Sequence, residues 1–403
     1  MVRASGQPEE DDDTMDFSLS EEERAIRDTA RAFVRNEVMP LEPEVLRRER
    51  AHQPGLRRDE LRELQLKAKA FGFWGLDTPE EYGGMALPAV TQSLLWTETG
   101  RSFVPFRFGG EADNILFEAD AAQRAEFLVP TIEGERISCF AITEPGAGSD
   151  VANIRLRARR DGDDWVLNGE KTFITNGNDA DFAIVVAVTD PDRKVHDGGA
   201  TAFLVDRAMG WKSEPIQTMG RAGRRRWSST TYACRTATSS ASWAGLHPRH
   251  ALDRQGALPD PVARPRHRRT GARNGDRLRQ HPGDVRPADR GEPGHPVDDR
   301  RLGDRVGGGP LAGSPGRLDG RHRARPRHAS SMAKLYGAGM INRVVDRVLQ
   351  IHGGMGYTRE LPIERWYRQV RLLRIFEGTD EMQRLIISRD LLRGYTKLGG
   401  HLE

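Results

Sequence analysis

A single carboxylate between an apolar run and a glycine is the part of this sequence best suited to chemistry. Glu377 follows Leu372, Leu373, Ile375 and Phe376, and a Gly-Thr step separates it from a predicted helix. Apolar neighbours desolvate a carboxylate and raise its pKa toward the range of a general base. An isolated Glu-Gly-Thr is more often a solvated helix cap, so a catalytic interpretation needs support from elsewhere in the chain.

Two glycine-rich stretches and one predicted strand give that support. Residues 141–150 read Ala-Ile-Thr-Glu-Pro-Gly-Ala-Gly-Ser-Asp, and residues 169–177 read Gly-Glu-Lys-Thr-Phe-Ile-Thr-Asn-Gly. A strand that runs into such a loop can offer backbone N–H groups and the Thr143 hydroxyl to a flat heterocycle, because glycine permits close approach. Residues 350–357 read Gln-Ile-His-Gly-Gly-Met-Gly-Tyr, a glycine turn after a predicted helix. Each stretch alone is typical of an ordinary turn.

Taken together, these stretches resemble the acyl-CoA dehydrogenase family, whose members use FAD and take their catalytic base from the Glu-Gly-Thr turn. The resemblance covers residues 17–221 and 331–393. It implies removal of the α-proton of an acyl-CoA thioester by Glu377 and transfer of the β-hydrogen as hydride to FAD. The product would be a trans-2-enoyl-CoA, and the reaction would belong to fatty acid metabolism.

The same resemblance assigns binding roles to residues of all the motifs. Those expected to bind FAD are Phe140, Ile142, Thr143, Gly148, Ser149, Phe173, Thr175, Gln350, Gly353, Gly354, Thr379 and Glu381. Ser149 and Gly378 are also expected to contact the acyl-CoA. No metal ligand is expected, and His352, for which the sequence suggests no partner, is interpreted as structural.

Composition narrows the class of protein further. The chain has 403 residues, enough for two or three domains, and a formal net charge of only +3, which argues against a polycation that binds nucleic acid. Two cysteines are too few for a disulfide framework and predict a reducing cytoplasm. No apolar run has membrane-spanning length, so no membrane partner is expected.

Periodicity predicts an α+β fold with helical ends and a β domain between them. Residues 1–16 are expected to form a disordered tail, 17–136 an α-helical domain, 137–221 a β-barrel or sandwich, and 330–395 a helical bundle before a short tail, 396–403. Predicted helices cover the stretch from a Ser20–Glu23 capping box to just before Pro40, then 56–71, 88–99, 114–117, 121–132, 331–352 and 381–392. Predicted strands surround an Asp161-Gly162 turn and continue at 171–175, 181–188 and 200–205.

The middle of the chain departs from this pattern. Residues 222–328 contain no Ile, Lys or Phe and are rich in Arg, Pro, Gly and His, so no window there has helical or strand periodicity. The favoured hypothesis is a translation in a shifted reading frame. The family has a segment of about this length at this place, and an insertion would have left that segment on one side of residues 222–328 or the other, where it is absent. The last β-domain strands, half of the bundle, and the family's FAD-diphosphate and dimer residues would then fall inside it. The literal chain is therefore predicted to be inactive or unfolded in its C-terminal half.

Three interpretations of function remain. The first is an acyl-CoA dehydrogenase that passes electrons to an electron-transferring flavoprotein and forms a homo-oligomer, a dimer or a tetramer. The second is an acyl-CoA oxidase-like flavoenzyme, whose reduced flavin would react with dioxygen. The third is a non-enzymatic scaffold with a basic, disordered arm that binds nucleic acid. Acyl chain length and branching are not determined by these motifs.

Overall fold

The N-terminal helices begin at the predicted cap. The computed structural model describes residues 18–51, 53–162, 164–219, 224–234, 239–242 and 326–392. Helix α1, Glu21–Phe33, opens with the predicted capping box: Glu23 N donates to Ser20 Oγ at 3.1 Å, and Ser20 N donates to Glu23 Oε2 at 3.0 Å. Two of the four amide groups that a helix start leaves without a partner are commonly satisfied in this way.

The chain after α1 stays helical past Pro40, so the prediction that the helix ends before this proline is wrong. A π turn, Val34–Val38, and a 3₁₀ turn, Met39–Leu41, lead into α2, Glu42–Arg50. Pro40 lies in the first positions of the 3₁₀ turn, where a missing N–H costs no hydrogen bond.

The other predicted helices of this domain are confirmed. They are α3, Arg58–Ala70, and α4, Ala89–Thr99, followed by a 3₁₀ turn, Asn114–Glu118. Two short helices come next, α5, Ala121–Gln123, and α6, Val129–Ile132, and a π turn, Arg124–Leu128, lies between them. Phe71, which follows the last turn of α3 and precedes the left-handed Gly72, is 51% exposed.

The middle of the described chain forms one eight-stranded sheet. Its strands are β1 Ser138–Ala141, β2 Arg157–Asp161, β3 Asp164–Thr175, β4 Phe182–Val188, β5 Ala200–Asp206, β6 Lys212–Pro215, β7 Arg224–Cys234 and β8 Ser239–Ser242. The order is β6-β7-β3-β2-β4-β5-β8, and β1 pairs in parallel with β4. The predicted turn at residues 161–162 joins β2 and β3 as an antiparallel pair. Since nearly all of β4 is buried, this strand forms the centre of the domain.

Strands β7 and β8 lie within the segment in which the composition gives no strand periodicity. Strand β7 pairs antiparallel with β3 and β6, and β8 pairs with β5. Hydrogen bonds between strands use backbone groups. A strand can therefore pair with a neighbouring segment whose sequence does not alternate apolar and polar residues. The expectation that the last strands of the domain fall in this segment is confirmed. The rest of that segment, up to residue 325, lies outside the described residues.

Three helices follow at the C-terminal end. Helix α7, Pro326–Tyr357, contains the predicted long helix, and Gly353 interrupts its helical backbone with φ 53° and ψ −136°. Helix α8, Ile363–Leu372, was not predicted, and α9, Asp380–Leu392, begins one residue before its predicted start. The signal for α8 was present, because Ile363, Trp366 and Val370 recur at helical spacing and are all buried.

The C-terminal helices share a hydrophobic core with the N-terminal domain. Its buried members include Phe33, Leu95 and Phe106 from the N-terminal part and Val344 and Trp366 from α7 and α8. Beside this core, Arg365 of α8 pairs with Glu49 of α2, with 3.2 Å from Nη2 to Oε1, and its guanidinium lies over the Phe103 ring. Helix α8 is therefore anchored to the N-terminal domain by apolar and charged contacts.

Four large apolar residues of α7 and α9 are exposed. They are Met332, Tyr336, Leu385 and Leu392, between 38% and 88% exposed. In α7 the buried face instead passes through Ala333, Ala338 and Val345, and in α9 the buried side chains are Asp380 and Gln383. Within the described ranges, no helix combines the length and the apolar content needed to cross a bilayer.

Candidate active site

Glu377 lies in a tight turn between α8 and α9. Its φ is +51°, and the next residue, Gly378, has φ +82°. A non-glycine residue in the left-handed region costs about 1–2 kcal/mol and persists only where its surroundings hold it. Such strain at a predicted catalytic residue is consistent with a functional turn.

The expected burial of Glu377 is wrong for this chain. Glu377 is exposed, and its apolar neighbour Ile375 is 50% exposed. The two consecutive left-handed residues reverse the chain after α8, so the glutamate lies on the outside of the turn rather than against the apolar run. Desolvation of this carboxylate therefore does not come from its own neighbours in sequence.

One buried amide holds the backbone of this turn. Gln383 is 7% exposed, and its Nε2 donates to Glu377 O and to Gly378 O, at 3.2 Å each. Thr379 caps α9, since its Oγ1 accepts from Met382 N at 3.3 Å. The sequence motif included this glutamine, but spacing alone gave no reason to assign it a role.

The first turn of α9 also carries Glu381, the last of the predicted FAD contacts. Its own backbone N–H, and next the Thr379 hydroxyl, hold the pKa of the Glu381 carboxyl below its usual value. Glu381 is exposed, as a residue that contacts a ligand from the surface would be. Thr379 and Glu381, both expected to bind FAD, thus belong to the helix start that follows Glu377.

A cluster of charges lies just behind the turn, and the sequence analysis missed it. Arg374 Nε donates to Asp380 Oδ2 at 2.6 Å, and Lys334 Nζ of α7 lies 3.8 Å from Asp380 Oδ1. Asp380 and Lys334 are only 3% and 4% exposed. The backbone completes the link, because Asp380 N donates to Arg374 O at 3.2 Å. No sequence signal identifies this cluster, since Lys334 belongs to α7, Asp380 to α9 and Arg374 to the turn between α8 and α9.

The two predicted flavin-binding stretches lie side by side. Thr172 N of β3 donates to Thr143 O at 2.8 Å, which joins the loop after β1 to the second motif. Phe140 and Ile142 are half-buried against the apolar clusters of the β domain, while Gly148 and Ser149 are exposed in the following loop. The structure therefore brings these two motifs together.

An irregularity in β3 exposes the residues predicted to flank the flavin. Between Lys171 and Ile174 the pairing with β7 shifts by one extra residue on β3, which is a β-bulge. Phe173, at φ +58°, lies in this bulge and is 53% exposed, and Thr175 is exposed as well. Thr172 and Ile174 are buried while Phe173 is not, because successive side chains of a strand point to opposite faces of the sheet.

A buried ion pair supports both flavin motifs from within the sheet. Lys171 Nζ donates to Glu144 Oε1 at 2.8 Å and to Ile142 O at 2.9 Å. The Glu144 carboxylate also accepts from the backbone N–H of Arg155 at 2.6 Å and of Leu156 at 2.9 Å. Burial lowers the pKa of the Lys171 ammonium, and the hydrogen bond to Glu144 opposes this shift. Both residues belong to sequence motifs, but their spacing does not predict that they pair.

The third motif forms the glycine-rich end of α7. Gln350, Gly353 and Gly354 are exposed. His352 is buried, and its Nδ1 lies 2.7 Å from Val348 O, one helical turn earlier, so the structural interpretation of this histidine is confirmed. Arg50 of α2 donates to Arg359 O and Glu360 O at 2.7 Å each and ties down the chain that follows.

The backbone of the glycine loops is open. An added Cβ at Gly146, Gly148, Gly353 or Gly354 would meet no atom within 4 Å, so each of these backbones is open to a ligand. With the exposed Phe173 and Thr175, the residues of the β-domain edge fit a flat cofactor that lies against the backbone. The Glu377 turn is held by the C-terminal helices and the flavin motifs by the sheet, so the two halves of the candidate site are built independently.

Comparison with known proteins gives one consistent result. Family models for the N-terminal, middle and C-terminal domains of acyl-CoA dehydrogenases match residues 20–135, 139–232 and 317–392. These matches reach further into the middle of the chain than the sequence motifs predicted.

Individual relatives agree with these matches over nearly the full length. (R)-Benzylsuccinyl-CoA dehydrogenase of Thauera aromatica is 30% identical, over 94% of this chain and 97% of the relative. Mitochondrial short-chain specific acyl-CoA dehydrogenase of Bos taurus is 29% identical, over 94% and 92%. Among solved structures, acyl-CoA dehydrogenase of Geobacillus kaustophilus is similar with a TM-score of 0.77 and 25% identity, over 93% of this chain and 99% of that chain.

Proposed function

The chain belongs to the acyl-CoA dehydrogenase family of FAD-dependent oxidoreductases, and from this premise we propose that it converts an acyl-CoA thioester to the trans-2-enoyl-CoA with Glu377 as the base. The observation that supports this assignment most directly is the strained Glu377–Gly378 turn, which presents an exposed carboxylate between α8 and α9. The α-proton of a thioester is weakly acidic, so a positioned base is what the reaction requires of the protein.

Glu377 takes the α-proton, and a backbone N–H beside it polarises the thioester carbonyl as negative charge develops on the oxygen. The bound cofactor, FAD, would supply the acceptor for the β-hydrogen, which leaves the substrate as hydride. Closure of the site by the acyl chain and the flavin would remove water from Glu377, which its own neighbours in sequence do not do. A carboxylate that becomes desolvated only when substrate is present is a stronger base at the moment of reaction.

The cofactor would be held by the β-domain edge and by two helix ends. Phe140, Ile142 and Thr143 contribute the end of β1, and Phe173 and Thr175 contribute the bulged strand β3. The remaining proposed contacts are Gly148, Ser149, Gln350, Gly353, Gly354, Thr379 and Glu381. Ser149 and Gly378 are proposed to contact the acyl-CoA. Open space at the loop glycines supports this arrangement.

We propose an electron-transferring flavoprotein as the electron acceptor and a homo-oligomer as the working form. Exposed apolar residues on α9, such as Leu385 and Leu392, support an additional packing surface there. One measurement distinguishes the oxidase-like alternative from a dehydrogenase: the rate at which the reduced flavin reacts with dioxygen. The arginine-rich segment of the nucleic-acid alternative lies largely outside the described residues.

The test is anaerobic reduction of the bound flavin. The purified chain, reconstituted with FAD, is mixed with butyryl-CoA or (R)-benzylsuccinyl-CoA, and the visible flavin absorbance is followed. The sequence alone predicts an inactive chain, but α7 and α8 pack against the N-terminal domain, so we expect bleaching with the wild-type chain. For Glu377→Gln, with FAD still bound, we expect the rate of bleaching to fall about 10²–10⁴-fold. Bleaching by Glu377→Gln at the wild-type rate would refute the base assignment. A wild-type chain that binds no FAD would refute the function for this polypeptide.

A further inference from the structure

The turn that carries Glu377 needs a device to hold it in place. Glu377 and Gly378 are both left-handed, and the glutamate side chain is exposed rather than packed. A base must stand within hydrogen-bonding reach of the proton that it removes, and a displacement of about 1 Å can cost 10²-fold in rate. The backbone of the turn therefore contributes to the position of this carboxylate.

Gln383 is placed to set that backbone. It lies on the first turn of α9, is 7% exposed, and donates both of its amide hydrogens to the carbonyls of the two left-handed residues. Such a pair of bonds fixes the orientation of two successive peptide planes at once. The contact is also close in space, because a Cβ at Gly378 would approach Gln383 Nε2 to 2.8 Å.

The two ends of the turn are joined to each other as well. Arg374, three residues before Glu377, donates to the side chain of Asp380, three residues after it, and accepts from the Asp380 backbone N–H. Lys334 of α7 faces the same buried carboxylate. This closure fixes the base of the loop, while Gln383 fixes its tip, so the two sets of contacts act at different places.

We propose that Gln383 is a positioning residue for the dehydrogenation: its carboxamide clamps the Glu377–Gly378 peptides and so holds the catalytic carboxylate at the α-carbon of the substrate. This proposal rests on the proposed function, since it assigns to Gln383 an effect that acts through Glu377. Loss of the clamp leaves the base in place chemically but lets the turn relax toward less strained conformations. The step that Glu377 performs is slowed, and substrate binding is retained.

The experiment compares two Gln→Met variants of the FAD-loaded chain. Gln383→Met keeps the side-chain length but removes the donor. Gln92→Met is the matched control, because Gln92 is 9% exposed, lies near the start of α4 and donates to Leu87 O at 2.8 Å, away from the turn. We expect Gln383→Met to lower kcat about tenfold to a hundredfold with KM changed less than threefold, and Gln92→Met to leave both nearly unchanged.

The outcomes separate this proposal from the one on which it rests. If Glu377→Gln is inactive while Gln383→Met keeps the wild-type kcat, the positioning role is refuted and the proposed function stands. If Glu377→Gln remains active, the base assignment fails first. Should Gln383→Met not fold, Gln383→Glu takes its place: it keeps the shape but turns an acceptor toward two carbonyl oxygens, and wild-type kcat for this variant would equally refute the clamp.

Discussion

Lys171 and Glu144 form a buried ion pair that connects the two strand ends of the candidate flavin site. Their charged atoms are 2.8 Å apart, and the residues are 0% and 7% exposed. Each partner also bonds backbone: Lys171 to Ile142 O, and Glu144 to the N–H groups of Arg155 and Leu156. The pair therefore fixes the conformation of the loop that begins with Thr143, which neither strand could do alone.

Removal of one charge of the Lys171–Glu144 pair is expected to lower the free energy of unfolding more than removal of both charges. Glu144→Gln leaves a buried ammonium without its counter-charge, and we expect a loss of about 3–5 kcal/mol in the free energy of unfolding. Lys171→Met combined with Glu144→Gln removes both charges, so the double variant should be more stable than Glu144→Gln alone. Urea unfolding of the four members of this cycle measures the coupling. Simple addition of the two single losses would contradict the coupling.

A second prediction concerns Asn176, the left-handed residue that ends the second flavin motif. Its φ is +61°, and its carbonyl accepts from Asp179 N and Ala180 N at 2.8 Å each. Glycine relieves the left-handed strain but increases the entropy of the unfolded chain, and the two effects are of similar size. We expect Asn176→Gly to change the free energy of unfolding by less than about 0.5 kcal/mol.

Asn178 is the matched control for this substitution, because it lies in the same turn and its φ is not positive. Asn178→Gly increases the conformational entropy of the unfolded chain but relieves no backbone strain. We therefore expect it to lower the free energy of unfolding by about 0.5–1 kcal/mol. Equal losses in both variants, measured by urea unfolding, would show that φ at residue 176 carries no strain.

Local signals in the sequence predicted most of the architecture. The capping box at Ser20 and the turn at residues 161–162 each specify backbone geometry through a few neighbouring residues, and both are present. Helix α8 was not predicted. Its apolar residues recur at helical spacing, but the residues before Glu377 were interpreted as an apolar run rather than as the end of a helix.

The candidate site was predictable as a set of residues but not as an arrangement. The sequence motifs placed Thr143 near the second flavin strand, and the hydrogen bond from Thr172 N to Thr143 O agrees with that. The pairing of Lys171 with Glu144, and of Asp380 with Arg374 and Lys334, depends on tertiary packing that no spacing rule encodes. The exposure of Glu377 likewise follows from two left-handed residues, only one of which is a glycine.

The last prediction concerns the thiol of Cys139, which lies on β1 beside the flavin motifs. The side chain is 3% exposed, and burial, with a contribution from the charge of Asp113, raises its pKa from the usual 9.0 to about 12. Because the thiolate is the reactive form, we expect the native protein to leave Cys139 unmodified by iodoacetamide at pH 8.5. Peptide mapping by mass spectrometry identifies this residue, and the urea-unfolded protein gives the rate for an accessible thiol.

The same shift makes stability depend on pH in a defined direction. A raised pKa in the folded state means that the unfolded chain releases this proton first, so the contribution of Cys139 is complete below pH 9.0 and is lost as pH rises toward about 12. The free energy of unfolding should therefore fall more steeply between pH 9 and 10.5 for the wild-type chain than for Cys139→Ala. Parallel curves for the two proteins, or native labelling as fast as in urea, would show that this thiol is not held protonated by burial.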